Sequence, residues 1–136
     1  MKIVLLDEKC EPIKATPGAS AYDLYTRESG VVKPGEAVKF LVGIKLKIPE
    51  NVMGVISSRG SSSLDGLFIT GDIDPDYTGE FGIIVHNIGL KPFTIEKYKR
   101  YAQIKFVKTE DINLEYVNEL PPTKRGERGF GHTGRD

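Results

Sequence analysis

The sequence predicts an all-β domain, and three observations predict it. Glycine and proline, 15 and 8 in number, are spread along the chain as punctuation. Between them lie short stretches rich in β-branched and aromatic residues, some alternating apolar and polar side chains with a period of two. No stretch sustains a helical period with proper caps. Short strands recurring every 8–12 residues or so, divided by turn signals, imply an antiparallel sandwich or barrel.

The elements follow in order. Lys2 to Leu6 reads as the first strand, and Thr16-Pro-Gly18 and Lys33-Pro-Gly35 mark turns. Ala37 to Ile48 is the clearest strand: Ile44, Leu46 and Ile48 alternate with Lys45 and Lys47, so one face meets a core. Pro49-Glu-Asn51 ends it, and Val52 to Ser57 reads as the next strand. Ser61 to Gly66 has room for one helical turn. Asp74-Pro-Asp76 is a turn, Phe81 to His86 a strand, and Asn87-Ile-Gly89 another turn. In Tyr101 to Val107, Ala102, Ile104 and Phe106 share one face, with Tyr101, Gln103, Lys105 and Val107 on the other.

A chain of 136 residues fits one domain. Hydrophobic residues make up 39%, and no apolar run approaches the roughly 20 residues of a spanning helix, so no membrane partner is expected. Nineteen basic and 19 acidic side chains cancel, so no global field recruits nucleic acid. Any positive site for an anion must be local. The single cysteine, Cys10, excludes an internal disulfide and a multi-cysteine zinc site. The expected location is the cytoplasm, or the nucleus in a eukaryote, and not outside the cell.

Two segments do not fit a plain β domain. One is Ser57-Ser-Arg-Gly-Ser-Ser-Ser63, read as a polar, flexible loop between apolar stretches. The other is the tail Lys124 to Gly134, with four glycines, one aromatic and three basic residues. Such a tail builds no core of its own. It is either a disordered end or an arm that orders over a ligand. As an arm, its glycines let backbone approach phosphates, Arg125 grips them and Phe130 stacks on a ring.

Arginine forks and Gly/Ser loops are common means of holding a polyphosphate, and Arg59, Arg100, Arg125 and Arg128 are the candidates. Gly71 to Glu80 packs four acids into ten residues. One reading is a tight loop with Asp76 capping a backbone N–H; the other gives one Asp the task of orienting or deprotonating a water. Asp23, between Tyr22 and Tyr25, is an unusual strand residue: either a metal-shell acid or a carboxylate in a hidden ion pair. His86 and His132 stand far apart with no second ligand nearby. Gly-x-Ser-x-Gly and the P-loop pattern are both absent.

Five segments in order resemble the motifs of the trimeric dUTPase family. They are Ala21-Tyr-Asp-Leu-Tyr25, Ser58-Arg-Gly-Ser-Ser-Ser-Leu64, Gly71-Asp-Ile-Asp-Pro-Asp-Tyr-Thr-Gly-Glu80, Arg100-Tyr-Ala-Gln-Ile104 and Arg125-Gly-Glu-Arg-Gly-Phe-Gly-His-Thr-Gly134. The third and fifth are the most specific. The resemblance implies a distorted jelly-roll-like β-barrel over residues 1–120 and a flexible glycine-rich arm, 121–136, completing a neighbour's active site. It implies a homotrimer with shared sites, dUTP as substrate and Mg²⁺ as cofactor, with hydrolysis to dUMP and pyrophosphate.

By the same resemblance, Asp74 activates the water that attacks the α-phosphorus, Tyr77 lies against the deoxyribose, and Asp23 holds waters of the Mg²⁺ shell. Arg59, Ser61 or Ser62, and Gln103 hold phosphates. Backbone around Phe81, Gly82 and Ile83 reads the uracil edge. In the arm, Arg125 meets the γ-phosphate and Phe130 stacks on uracil, with Gly131 and His132 beside them. The chain departs from the family pattern in five places, one being a shortened loop that sets Arg59 closer to Asp74 than the pattern implies. Gly60 stands where Ser usually follows the Arg, and Asp72 at a usually apolar or variable position. Tyr98 stands where Gly is common, and Arg128 replaces a frequent Gly. Two other readings are a dCTP deaminase relative, with Glu80 as the candidate acid/base, and a nucleotide-switched binding protein on the same fold.

Overall fold

The computed structural model covers residues 1–136 and contains nine strands, one helical turn and one 3₁₀ turn. The strands are β1 (Lys2–Leu5), β2 (Tyr22–Tyr25), β3 (Gly30–Val32), β4 (Ala37–Lys47), β5 (Val52–Ser58), β6 (Leu67–Ile73), β7 (Glu80–Asn87), β8 (Phe93–Ile95) and β9 (Arg100–Lys108). The helical turn α1 is Gly60–Leu64. Seven strands form one curled antiparallel sheet in the order β1-β4-β7-β6-β5-β9-β2, and β3 pairs with β8. The fold is the expected jelly-roll-like barrel.

Alternation fills the barrel. Val42, Ile44 and Leu46 of β4, Phe81, Ile83 and Val85 of β7, and Ala102 and Ile104 of β9 point inward, within one cluster of 17 buried residues. The edge strands β1 and β2 border an apolar cavity lined by Ile3, Leu5, Tyr22, Leu46 and Phe106. The Gly43 backbone has φ +69°, and a Cβ there would lie 3.0 Å from the Cβ of Cys10, so this position requires glycine. Burial pushes the Cys10 thiol up in pKa.

Two expectations change. Ser57–Ser63 is not a flexible loop: Ser57 and Ser58 finish β5, and α1 follows after Arg59. The turn after β6 is closed by the Tyr77 N–H donating to the Asp74 carbonyl at 3.1 Å, and Asp76 caps nothing. Four strands lacked a clear sequence signal: β2, β3, β6 and β8. The last strand ends at Lys108, and every residue beyond it is exposed.

Candidate active site

Three strands bring the first group together. Asp23 on β2 pairs with Gln103 on β9, which pairs with Ser57 on β5, so one cross-strand row carries all three. Because Leu24, Ala102, Ile104 and Ile56 turn inward, Gln103 and Ser57 turn to the opposite face. The chain then enters α1 through Arg59, held extended at φ −70° and ψ 155° with its N–H donating to the Tyr101 carbonyl. This entry aims the guanidinium back across the row.

Asp23 is only 6% exposed, and two guanidiniums neutralise it. The Nε of Arg59 lies 3.2 Å, and the Nη1 of Arg100 3.1 Å, from its Oδ2. Arg59 also donates to the Arg100 carbonyl at 3.0 Å, and Arg100 lies over the ring of Tyr25. The hidden ion pair is therefore the reading that the geometry favours for Asp23 in the free chain. Two cations around one anion leave the cleft with local positive charge, which suits an anionic ligand. Ser61 lines this cleft with Asp23, Arg59 and Gln103. Ser62 does not: it is 2% exposed and its hydroxyl donates to the Tyr101 carbonyl at 2.7 Å, which pins α1 to β9.

The second group stands on the β6–β7 connection, in the middle of the sheet order. Asp74, Tyr77 and Gly82 line a cleft with Asp72 and Lys39. The Tyr77 hydroxyl donates to the Glu80 carbonyl at 2.8 Å, folding the ring over Gly79. A Cβ at Gly79 would lie 2.6 Å from that hydroxyl and 2.8 Å from Cζ, so glycine here permits the ring's position. Phe81 and Ile83 send their side chains into the core, so only backbone is theirs to offer at this cleft. Glu80 is already committed, to the Arg27 guanidinium at 2.7 Å and the Gly43 N–H at 3.1 Å, which removes it as a free acid/base.

The third group is the tail. Arg125 donates to the Arg128 and Gly129 carbonyls, and Arg128 donates back to the Arg125 carbonyl. Phe130 is wholly exposed, as are Gly131 and His132. Past Thr109 the segment hydrogen-bonds only within itself.

One chain does not unite these groups. Asp74 follows Ile73, which pairs with Gly54, whereas Gln103 pairs with Ser57. At strand spacings this places Asp74 about 13 Å along and about 10 Å across from Gln103, roughly 16 Å in all. The cleft of Asp23, Arg59 and Gln103 and the cleft of Asp74 are separate.

A profile of the dUTPase family matches residues 8–134. The chain belongs to the dUTPase family. It is 36% identical to the deoxyuridine 5'-triphosphate nucleotidohydrolase of Clostridium tetani, over 99% of this chain and 97% of that protein. It is 37% identical to the enzyme of the same name from vaccinia virus, over 90% of this chain and 84% of that one. Among solved structures, a Staphylococcus bacteriophage 80alpha dUTPase with dUpNHpp superposes with a TM-score of 0.89 at 27% identity, covering 98% of this chain and 97% of that chain.

The family's divalent cation can be tested against the donors present. No three His, Cys, Asp or Glu side chains cluster as a cage. Asp23 is the one carboxylate lining the cleft of Arg59, Ser61 and Gln103. Its Oδ2 carries both arginines, while Oδ1 has no partner in the chain. One free carboxylate oxygen in a cleft of positive charge fits Mg²⁺, an ion that keeps its waters and is commonly held by one or two carboxylates and phosphate groups.

Sequence reasoning named Arg100 as a phosphate candidate and missed its task of fixing Asp23. It also placed no weight on Lys105, which lines the Asp23–Arg59 cleft two residues after Gln103. The two-residue alternation along β9 already put them on one face.

Proposed function

We propose that this chain hydrolyses dUTP to dUMP and pyrophosphate, as a trimer in which each active site combines groups from different chains. The observation that carries the reading is the separation of the family's motifs into three groups. Asp23, Arg59 and Gln103 form one, Asp74 and Tyr77 another, and the arm a third; no single chain brings them together. A carboxylate acting as general base must stand within hydrogen-bond reach of its water, next to the bound phosphates. A neighbouring chain is the natural source.

Arg59, Ser61 and Gln103 hold the triphosphate, and Arg100 keeps Asp23 and Arg59 in place. Asp74 of another chain orients a water and takes its proton as the oxygen attacks the α-phosphorus. The bond from that phosphorus to the bridging oxygen breaks, and pyrophosphate leaves. Asp23 would hold a Mg²⁺ ion through water, and that ion would supply charge neutralisation at the phosphate oxygens. Phosphoryl chemistry of this kind needs positioning and electrostatics, with no covalent nucleophile. Tyr77, folded over Gly79, presents its ring to the sugar, where a 2′-hydroxyl would clash or be buried unpaired. Backbone at Gly82 reads the uracil edge, while Phe130 stacks on the base and Arg125 reaches the terminal phosphate. The buried, unpaired Cys10 suits a reducing compartment such as the cytoplasm.

The test is pyrophosphate release from dUTP with Mg²⁺, beside UTP, dCTP and dTTP at equal concentration. Release from dUTP alone is expected. In Asp74→Asn, turnover should fall by about 10³-fold or more while dUTP binding persists. Normal turnover in that variant would remove Asp74 from the mechanism.

A further inference from the structure

The ladder between β4 and β7 breaks in one place. Leu41 pairs with Gly82 and Lys45 with Glu80, so three residues of β4 face one of β7. Gly43, at the centre of the break, turns its carbonyl to the Leu6 and Asp7 N–H groups. Its own N–H donates to the Glu80 carboxylate at 3.1 Å. The Glu80 side chain therefore closes the gap that the register leaves.

Arg27 completes the closure. It stands two residues after the first motif and lies outside all five. Its Nη2 lies 2.7 Å from Glu80 Oε2, the oxygen that Gly43 does not use. Its stem runs over Gly43, where an added Cβ would meet the Arg27 Cδ at 3.4 Å. The Arg27 N–H donates to the Leu41 carbonyl at 2.9 Å, which fixes the residue to β4 at the edge of the break. The Glu80 side chain is 15% exposed, so this charge-assisted bond is partly shielded from water.

Glu80 has a second task. It opens β7, and its carbonyl accepts from the Tyr77 hydroxyl at 2.8 Å. Gly79 gives the ring room, but the position of this carbonyl decides where the ring comes to rest. Gly82, whose backbone lines the same cleft, lies two residues further along the strand. Arg27 itself does not line the Asp74 cleft.

We infer that Arg27 is a positioning residue for sugar selection. By clamping Glu80 across the β4 break, it fixes the carbonyl that holds the Tyr77 ring against the deoxyribose. The inference deepens the dUTP hydrolysis proposed above and rests on it. Without the guanidinium, the Glu80 carboxylate keeps one N–H for a partly buried charge and turns toward water. The start of β7 then loosens, and the ring yields enough to admit a 2′-hydroxyl.

The test is competition between dUTP and UTP, with kcat and KM for each and the melting temperature of every variant. Arg27→Met keeps the stem and removes the charge. It should weaken the preference for dUTP by about tenfold. A purely structural role for the pair predicts instead that both substrates lose kcat/KM by one factor. Glu80→Gln, which keeps an acceptor for Gly43, should show the same loss of preference and decides the matter if Arg27→Met does not fold. The double variant should lose no more than either single one. In Tyr77→Phe, whose ring has no bond to that carbonyl, Arg27→Met should change the preference no further. Unchanged preference in the folded variants, equal losses on both substrates, or losses that multiply overturn the inference. Wild-type release from dUTP alone leaves dUTP hydrolysis standing in each of those cases. A wild type that ignores dUTP removes that reading and this one together.

Discussion

The Asp23 cleft and the C-terminal arm both carry arginines, and they are built in opposite ways. In the cleft, Arg59 and Arg100 converge on a buried carboxylate fixed by the register of β2, β9 and β5. In the arm, Arg125 and Arg128 satisfy themselves on nearby carbonyls, and no side chain of the segment is covered. The first region is ordered before any ligand arrives. The second must give up its own contacts and conformational freedom to engage one. Damage to the cleft should therefore be felt in stability and activity together, and damage to the arm in activity alone.

Removing the arm is the strongest way to break that contrast. Truncation after Leu120 should lower kcat/KM for dUTP by about 10²-fold or more, with the melting temperature of the barrel unchanged by calorimetry. A large drop in melting temperature would mean that the arm supports the fold. Next, Arg100→Ala leaves Asp23 with one guanidinium. Both arginines are about a third exposed, so the cost is about 1–2 kcal/mol, read as a melting temperature lower by about 5 °C. Its activity should fall too. Gly79→Ala is narrower: the Tyr77 ring must move, and the preference for dUTP over UTP should weaken by about tenfold in competition assays.

The smallest effect lies far from the cleft, at Tyr98, whose backbone holds the left-handed φ of 62°. The ring is flanked by Lys9 and Lys97, and its hydroxyl donates to Asp7 at 2.9 Å. That bond, with the Lys9 N–H, holds the Asp7 carboxyl below its ordinary 3.8. A depressed carboxylate contributes stability above its unfolded value and loses it as pH falls through the folded one. Tyr98→Phe should thus melt slightly below the wild type at neutral pH, with the gap closing below about pH 3.8.

What the sequence disclosed follows the physics of each signal. β4 and β9 were legible because one face is apolar and the other polar over several residues. β6 was not, since Gly71 and Asp72 interrupt it with residues that disfavour strands. β3 and β8 are three residues each, too short for a period to show. Asp23, Arg59 and Gln103 were singled out through motifs, but their convergence depends on pairing register, which no local pattern encodes. The choice between Ser61 and Ser62 likewise waited for the direction of α1. Tyr98 is a departure from the family pattern whose compensation, through Asp7, spans most of the chain.

The exposed tail has a consequence for the protein's lifetime. Lys124, Arg125 and Arg128 offer basic cleavage points on backbone that no strand protects. A trypsin-like protease would clip there first and leave a barrel that still folds and keeps its Asp23–Arg59 cleft. Such a nicked species would pass every test of integrity except turnover. On the proposed function, substrate that draws the arm onto the barrel would slow the cut, so the rate of clipping would report how much of the protein is loaded.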